Sequence, residues 1–390
     1  MKHPAGALAS VVVVGALLSA CGTGEQPESV ESDVAEVPET QMAIVQIGNG
    51  GPEVLHYRSI PVLEPREGEV LVEVVAAAIN PIEWRSREGS GGPGGGGARG
   101  LGGGAPAGPG RPPGGMAPAP PGDPSAPVVP GGDLAGIVVK LGEGVTNLQI
   151  GDAVFSKVAL GDRDRLNGAY SEYVLTRADH TNHKPADQTF AEAAGLGTVG
   201  ATALRTIKHA DVTAGQRVFI NGIGGGIGSS AAQFAMERGA YVLGTASARH
   251  HEYLDSIGVD EAINYREVQF DEVIEEPVDV VIETVSTATA NQALNILRPG
   301  GKLVSIAGAA DPALCEEKGV DCSRIGGEFG WPNTLILAEV AQLARDGHYR
   351  LNVDETFPLE EAGAAQDLNH NVGTTGKIVL IVDAEMANQM

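Results

Sequence analysis

The chain has 390 residues, of which 42% are hydrophobic, and this length and composition are typical of a soluble globular protein with more than one domain. Its formal net charge of −24 at pH 7 disfavours nucleic acid as a partner, because the charge would repel a phosphate backbone. Acidity of this size bears on solubility and carries no information about the fold.

The first 20 residues have the pattern of an export signal. A short basic start, Met1-Lys2-His3, precedes an apolar stretch over 5–18 that is too short to span a bilayer as a helix. The Leu-Ser-Ala-Cys sequence that ends at Cys21 resembles the lipobox of bacterial lipoproteins. The resemblance implies that residues 1–20 are a signal peptide and that a lipid on Cys21 anchors an exported protein to a membrane of the cell envelope. Translation from Met42 would instead give a cytoplasmic enzyme.

Two segments lack the apolar side chains that a folded core needs. Residues 22–41 contain six acidic residues and no basic or aromatic one, which predicts an extended, solvated tether over 21–41. Residues 89–127 are rich in glycine and proline, and they separate two strand-like stretches at 69–80 and 133–141. We therefore expect a long loop inserted within one domain, and not a boundary between two domains.

A glycine-rich turn follows a short buried strand. Residues 218–220 form an apolar run, and Gly222, Gly225 and Gly228 recur every third residue as an amphipathic helix over 226–238 begins. Glycines at such a turn let backbone amides approach a pyrophosphate, whose charge the helix N-terminus stabilises. The spacing differs by one residue from the usual G-x-G-x-x-G, so the predicted dinucleotide site depends on the strand, turn and helix around it.

The end of the next strand, at 241–246, predicts which dinucleotide binds. A site for NAD places an acidic residue about 20 positions after the glycines, whereas this chain has Ser247 and Arg249 in that region. A hydroxyl and a guanidinium bind a 2′-phosphate, which a carboxylate would repel, so NADP(H) is the predicted cofactor. The alternative is that Arg249 is a solvated residue at the start of a helix over 248–257.

Strands and helices continue to alternate after this unit. The remaining predicted elements are strands at 278–282, 302–306 and 378–382 and helices at 288–297, 333–346 and 359–370. Such alternation predicts an α/β fold with a doubly wound parallel sheet of Rossmann type. Cys315 and Cys322 lie in a loop-like stretch, where they would pair as a disulfide in an exported protein and stay reduced in a cytosol.

Seven sequence blocks between Met42 and Asp383 form an ordered series. They are AINPIEWRSREG (78–89), PGGDLAGIVVKLGEGVTNLQIGDAVF (130–155), NGAYSEYVL (167–175), the glycine turn, VDVVIETVS (278–286), LRPGGKLVSIAG (297–308) and FPLEEAGAAQDLNHNVGTTGKIVLIV (357–382). In this order they resemble the zinc-free medium-chain dehydrogenases/reductases of the quinone oxidoreductase (zeta-crystallin-like) group. The resemblance covers nearly the whole chain after Met42, apart from the inserted loop.

The resemblance implies a domain organisation. A GroES-like, β-rich catalytic domain over 42–185 is completed by the C-terminal residues 326–390, and a Rossmann NADP-binding domain occupies 186–325 between them. The active site is expected in the cleft between the two domains, at the carboxyl ends of the parallel strands. Family members also suggest a homodimer.

The resemblance also implies roles for individual residues. Asn80 is expected to border the nicotinamide, and Arg85 to contact cofactor or substrate, as the two catalytic residues. The expected cofactor-binding residues are Thr198, Thr202, Gly222, Gly225, Gly226, Ile227, Gly228, Ser247, Arg249, Tyr265, Glu283, Thr284, Val285, Ala307, Gly308, Gly376 and Lys377. The structural alternatives are that Arg85 is a surface residue and that Lys377 simply begins a strand.

The positions of the zinc ligands are changed. Zinc-dependent relatives carry a cysteine in place of Asn80 and a Gly-His-Glu sequence where this chain has Gly132-Asp133, so neither zinc nor another metal is expected. Hydride transfer without a Lewis acid suits a quinone or an α,β-unsaturated carbonyl substrate. The predicted function is therefore NADPH-dependent, zinc-independent reduction of such a small molecule. The alternative is a lipid-anchored, catalytically inactive protein that binds a nucleotide or ligand on the same fold.

Overall fold

The computed structural model describes residues 37–89, 126–158, 165–325 and 334–390. The predicted signal peptide, Cys21, nearly all of the predicted tether and nearly all of the inserted loop lie outside these residues. Within the described ranges, no helix combines the length and the apolar character that crossing a bilayer requires.

Strands dominate both ends of the chain, and helices alternate with strands in its centre. The strands are β1 (Thr40–Gln46), β2 (Leu55–Pro61), β3 (Glu69–Ala78), β4 (Asp133–Leu141), β5 (Ala153–Lys157), β6 (Tyr173–Arg177), β7 (Thr181–His183), β8 (Arg217–Asn221), β9 (Tyr241–Ala246), β10 (Glu261–Asn264), β11 (Val278–Glu283), β12 (Leu297–Ser305), β13 (Asp321–Arg324), β14 (Val353–Pro358) and β15 (Lys377–Ile381). The helices are α1 (Pro81–Arg87), α2 (Phe190–Ala194), α3 (Ala201–Ala210), α4 (Gly226–Glu237), α5 (His251–Ser256), α6 (Phe270–Val273), α7 (Thr287–Ala293), α8 (Pro312–Lys318), α9 (Thr334–Arg345) and α10 (Ala362–Asn371).

The central strands form a parallel sheet in the order β10-β9-β8-β11-β12-β13. The apolar run Val218–Ile220 at the middle of β8 is fully buried, as expected for a parallel strand covered by helices on both faces. Helices α4 to α8 connect successive strands, so the predicted doubly wound Rossmann sheet is confirmed.

The two ends of the chain share a second sheet, in the order β14-β15-β3-β4-β5-β7, with β6 paired to β3. The C-terminal strand β15 runs antiparallel to β3 and places Val379 opposite Ala78. The expected GroES-like domain is therefore built from both ends of the chain. Strands β1 and β2 form a separate antiparallel hairpin.

A continuous apolar core connects the two sheets. It includes Val75 on β3, Leu204 on α3, Ile220 on β8 and Val340 on α9, which are all essentially inaccessible to solvent. Because these side chains come from both domains, the cleft between the domains is bounded by closely packed elements.

Some element boundaries that were predicted from local sequence patterns are wrong. Strand β1 begins at Thr40, inside the predicted tether, and Gln41 is buried because β1 pairs with β2. The helix expected over 248–257 is a 3₁₀ turn at Ala248–His250 followed by α5. Strand β12 starts five residues before the predicted position 302, since its first part pairs with β11 at Val278.

The two cysteines do not lie in a loop. Cys315 is on α8 and Cys322 is on β13, the edge strand of the central sheet, and the structure joins them by a disulfide. The bond attaches the last strand of the sheet to the helix that precedes it.

Candidate active site

The glycine turn after β8 has the geometry of a phosphate cradle. Gly222 has a φ of +78°, which favours glycine, and a Cβ atom on Gly228 would collide with the carbonyl oxygen of Gly222. These two glycines therefore allow the turn to close. Gly225 precedes α4, and a Cβ atom there would have its nearest neighbour at 3.6 Å, so the backbone at this position is open to a ligand. Gly226 and Ile227 follow as the first residues of α4.

Residues of the catalytic domain lie directly against this turn. The backbone amide of Gly376 donates to the carbonyl oxygen of Gly224 at 3.1 Å. A Cβ atom on Gly226 would lie 3.2 Å from both Lys377 Cδ and Val199 Cγ1. The start of β15, with Gly376 and Lys377, and the Leu196–Gly200 segment thus border the glycine turn.

The strand order reverses between β8 and β11, the position at which doubly wound sheets bind ligands. Asn221 ends β8 and donates from Nδ2 to both carboxylate oxygens of Glu283, at 2.9 and 3.2 Å. The Glu283 carboxylate also accepts from the backbone amides of Val285 and Ser286, at 2.6 and 3.0 Å. Burial raises the pKa of Glu283. Glu283 therefore shapes the loop, whereas Val285 is 51% exposed and its Cγ2 lies beside Gly222.

The predicted 2′-phosphate residues follow β9. Ser247 is buried, while the exposed Arg249 donates from Nη2 to the carbonyl oxygens of Gly373 and Val372, at 2.5 and 3.4 Å. The adjacent His250 shares a hydrogen bond of 2.6 Å between its Nδ1 and Thr375 Oγ1. Arg249 is therefore neither freely solvated nor turned away from the cleft, because it connects the Rossmann domain to the loop before β15.

The other predicted cofactor residues lie at the ends of neighbouring elements. Tyr265 directly follows β10 and is 51% exposed. Thr284 donates from Oγ1 to the carbonyl oxygen of Asn221 at 2.7 Å. Ala307 is exposed beyond β12, and Gly308 has no room for a side chain because a Cβ atom would collide with the Thr287 amide. Thr202 is half-buried on α3.

A buried polar network centres on Asn80, the residue before α1. Its Nδ2 donates to Asp133 Oδ2 at 3.0 Å, and its backbone amide donates to Glu83 Oε2 at 2.6 Å. Pro81 at the first helical position and Glu83 two residues later suit a helix start, because the glutamate satisfies an amide that has no partner within the helix. The three polar side chains are at most 2% exposed.

Three further side chains complete this network. Thr198 Oγ1 donates to Asp133 Oδ1 at 2.8 Å, and Lys157 Nζ donates to Thr198 Oγ1 at 2.6 Å. Lys377 Nζ donates to Asn80 Oδ1 at 2.8 Å and to the carbonyl oxygen of Ile79. Residues from five separate parts of the chain therefore meet beside the glycine turn.

Burial shifts the ionisation of two members of this network. The pKa of Glu83 is raised to about 7, mainly because burial disfavours its charged form, although the Lys377 ammonium opposes the shift. Burial likewise lowers the pKa of Lys377, against the attraction of Asp133 and Glu83. The network therefore contains a carboxyl group that changes its protonation near neutral pH.

Arg85 lies on the exposed side of α1. Its guanidinium carbon is 5.0 Å from the ring centroid of Trp84, which itself stacks on His370 at 4.0 Å. The structure thus gives Arg85 a cation–π contact with a neighbouring side chain.

No group of three or more histidine, cysteine, aspartate or glutamate side chains within the described ranges has an arrangement that would hold a metal ion. The donors at the position of the zinc ligands are an amide and a carboxylate, and both are engaged in the network. The ammonium of Lys377 bonds to the same amide.

Two family models match the chain. The alcohol dehydrogenase GroES-like domain matches residues 66–186, and the zinc-binding dehydrogenase model matches residues 257–380. The quinone oxidoreductase of Sus scrofa is 30% identical over 351 residues, which span 85% of this chain and 95% of the relative. The chloroplastic NADPH-dependent alkenal/one oxidoreductase of Arabidopsis thaliana is 30% identical over 283 residues, spanning 71% of this chain and 65% of that protein.

Solved structures show the same architecture. The quinone oxidoreductase from Coxiella burnetii superposes with a TM-score of 0.73 at 30% identity, covering 88% of this chain and all of that one. The fold and these relatives together define a two-domain oxidoreductase. The chain belongs to the medium-chain dehydrogenase/reductase family, and its relatives include the quinone oxidoreductases.

Sequence reasoning did not identify several members of the polar network. Glu83 and Asp133 each stand in one of the quoted blocks with uncharged residues directly on either side, a signal that a buried carboxylate leaves in a sequence. Lys157 has no comparable signal, because only its contact with the distant Thr198 distinguishes it from other lysines.

Proposed function

We propose that this oxidoreductase transfers hydride from NADPH to a quinone or an α,β-unsaturated carbonyl compound, without zinc. The observation that carries the proposal is the contact between the glycine turn and the polar network, through Gly226 on one side and Val199 and Lys377 on the other. A dinucleotide whose pyrophosphate lies at the turn would extend its nicotinamide toward Asn80 and Thr198. The quinone and alkenal/one oxidoreductases among the relatives support this substrate class.

The preference for NADPH depends on the end of β9. Ser247 and Arg249 stand where an NAD site would carry a carboxylate, and Arg249 is exposed at the mouth of the cleft. The carbonyl oxygens of residues 372 and 373 already hold its guanidinium in position. A 2′-phosphate would compete with these oxygens for the guanidinium N–H groups.

The donor set supports the proposed independence from zinc. Asn80 Oδ1 accepts from the Lys377 ammonium at 2.8 Å, so a divalent cation at this amide would face a positive charge. Asp133 and Glu83 are the acidic side chains beside this amide, and both already accept hydrogen bonds from Asn80. A structural or catalytic zinc site requires three or four protein ligands.

The bound cofactor would supply the hydride. Asp133 fixes the orientation of both Asn80 and Thr198, since it accepts from each of them. Lys377 places positive charge next to Asn80, which favours the negative charge that develops on an acceptor carbonyl. The buried walls of the network limit the access of water to this position.

The decisive experiment combines binding and turnover on the purified full-length chain. We expect calorimetry to show NADPH binding that is tighter than NADH binding, and absorbance to show NADPH oxidation with 1,4-naphthoquinone or 3-buten-2-one. Binding without oxidation would favour the catalytically inactive binding protein. A lack of NADPH binding would contradict the reductase proposal.

We also propose that the protein is an exported lipoprotein whose anchor is a lipid on Cys21. The disulfide between Cys315 and Cys322 supports this proposal, because disulfides persist in oxidising compartments. Intact-mass analysis of the native protein should find a lipid on Cys21 at the N-terminus. A mature chain that starts near Met42 would contradict export. Chromatography with light scattering would test the proposed homodimer.

A further inference from the structure

We propose that Lys157 is the acid that donates a proton to the carbonyl oxygen of the substrate. This inference rests on the proposed reductase function, which leaves the proton donor unassigned. The structure places Lys157 at the end of β5, directly opposite Asp133 at the start of β4. It therefore stands at the end of an internal strand of the sheet that holds the polar network.

The hydrogen bonds of Lys157 give its ammonium group a defined position. Thr198 Oγ1 uses its own proton to donate to Asp133 Oδ1 at 2.8 Å, so it accepts the bond from Lys157 Nζ at 2.6 Å. In the part of the chain that the structure describes, Nζ has no other hydrogen-bond partner. Among the described residues, two of its three N–H groups therefore have no acceptor and can face a substrate oxygen.

Lys157 is also the partly exposed end of the network. The Asn80, Glu83, Asp133 and Lys377 side chains are at most 4% exposed, whereas Lys157 and Thr198 are half-buried. A proton donor must be recharged from solvent after each turnover, and this exposure permits it. Lys377 is less suited to that role, because it is buried and donates to Asn80 and Ile79.

Several charged groups surround Lys157. Asp133 lies opposite it on β4, and Lys377 lies on β15 at the other side of the network. His183 on β7 pairs with Asp152 at 3.8 Å, and Glu192 on α2 binds Arg350 at 2.7 Å, so these groups are engaged elsewhere.

The proposed step balances charge and atoms. As hydride arrives at the β-carbon of an enone, the electron pair of the C=C bond moves toward the carbonyl oxygen. Lys157 Nζ transfers a proton to that oxygen and becomes a neutral amine, and the resulting enol rearranges to the saturated ketone. Water then returns a proton to Nζ. Arg85 is a poor candidate for this step, since a guanidinium does not release its proton near neutral pH.

The test compares Lys157→Ala, Lys157→Arg and the control Lys140→Ala with the wild type. Lys140 is an exposed lysine on β4 that pairs with Glu64, away from the network. With NADPH and 3-buten-2-one, we expect kcat of Lys157→Ala to fall about 100-fold, as for loss of a general acid. Added ethylamine should restore activity in proportion to the ethylammonium concentration. NADPH affinity and the activity of Lys140→Ala should stay within about twofold of wild type.

Two measurements separate proton donation from other roles. Lys157→Arg keeps the positive charge, so wild-type activity in this variant would show electrostatic stabilisation and would overturn the assignment as an acid. Reductive methylation of the unloaded wild type, followed by mass spectrometry, should modify Lys157 and leave the buried Lys377 unmodified. Protection of Lys157 from this reagent would overturn the proposal, because such an amine would be closed to a substrate.

The outcomes also distinguish this inference from the proposed function. Full activity of Lys157→Ala in an active enzyme, or a loss of activity that ethylamine does not rescue, would overturn the role of Lys157 alone. A wild type that binds no NADPH, or binds it without reducing an enone, would overturn the reductase proposal and this inference with it.

Discussion

Glu83 illustrates how a single buried residue depends on its surroundings. Its carboxyl group is fully enclosed, and burial raises its pKa to about 7 although Asn80 donates to it and Lys377 lies nearby. A glutamate in an unfolded chain ionises near pH 4.3. Folding therefore becomes linked to the protonation of this side chain.

We expect Glu83→Gln to change the pH dependence of stability. Between the unfolded pKa and about pH 7, native Glu83 holds a proton that the unfolded chain has lost, so wild-type stability falls as pH rises through this window. The loss would be at most about 4 kcal/mol, and glutamine, which does not titrate, would not show it. Urea unfolding at pH 5 and pH 8 measures the difference, with the exposed Glu237→Gln as control. Parallel pH profiles for Glu83→Gln and wild type would contradict the shifted pKa.

Arg249 provides the second prediction at this scale. Arg249→Ala should weaken NADPH binding by about 1 to 3 kcal/mol, because a charged hydrogen bond to the 2′-phosphate is lost, while NADH binding should barely change. Calorimetry with both nucleotides is the measurement. Arg298→Ala serves as a matched control, because Arg298 lies at the start of β12 and pairs with Asp279, whereas Arg249 follows the end of β9. An equal loss for both nucleotides would show that Arg249 acts through the loop at Gly373 and not through the phosphate.

At the scale of elements, the glycines of the turn have two different roles: some allow the backbone to fold, and one leaves room for a ligand. Gly222 and Gly228 are required because the backbone folds back on itself, whereas Gly225 has an extended conformation that any residue can adopt. The absence of a side chain at Gly225 therefore matters only when a ligand approaches.

This difference predicts different effects for two alanine substitutions. Gly225→Ala should leave the free energy of unfolding within about 0.5 kcal/mol of wild type and lower NADPH affinity about tenfold or more, or ~1.4 kcal/mol. Gly228→Ala should cost about 1 to 3 kcal/mol of stability, since its Cβ atom meets the Gly222 carbonyl. Thermal unfolding and calorimetry on both variants test this. Unchanged NADPH affinity in Gly225→Ala would place the pyrophosphate elsewhere.

At the scale of the molecule, the two domains meet both through an apolar core and through a set of polar contacts. The core extends from Val75 on β3 to Ile220 on β8. Across the cleft, Arg249 and His250 bind the loop at residues 373 and 375, close to the contact of Gly376 with Gly224. A ligand can replace such polar contacts more easily than it can separate packed apolar side chains. We therefore expect cofactor binding to rearrange the contacts of Arg249 and His250 with this loop.

The disulfide links the stability of the whole chain to its redox environment. Cys315 and Cys322 are seven positions apart, and closing a loop of this length contributes about 2 kcal/mol. We expect reduction with dithiothreitol to lower the free energy of unfolding by that amount. The double variant Cys315→Ser, Cys322→Ser should respond to urea identically with and without the reductant. A wild type that is insensitive to dithiothreitol would show that the bond contributes nothing to stability.

Local sequence patterns by themselves determined the strand, glycine turn and helix of the βαβ unit that begins with β8. A βαβ unit places its glycines, its first helix turn and the end of its second strand within about 30 residues, so the positions of Gly222, Gly225 and Arg249 could be predicted from neighbouring residues alone. Boundaries such as the start of β1 could not, because Thr40 and Gln41 become a strand only by pairing with β2.

The arrangement of the polar network around Asn80 was decided only by the tertiary structure. Asn80, Asp133, Lys157, Thr198 and Lys377 are separated by tens to hundreds of residues, and no local pattern connects them. Their hydrogen bonds exist because β15 returns beside β3 and because the Leu196–Gly200 segment packs between the two domains. Burial then sets the ionisation of Glu83 and Lys377, a property of the folded environment that residue identity does not contain.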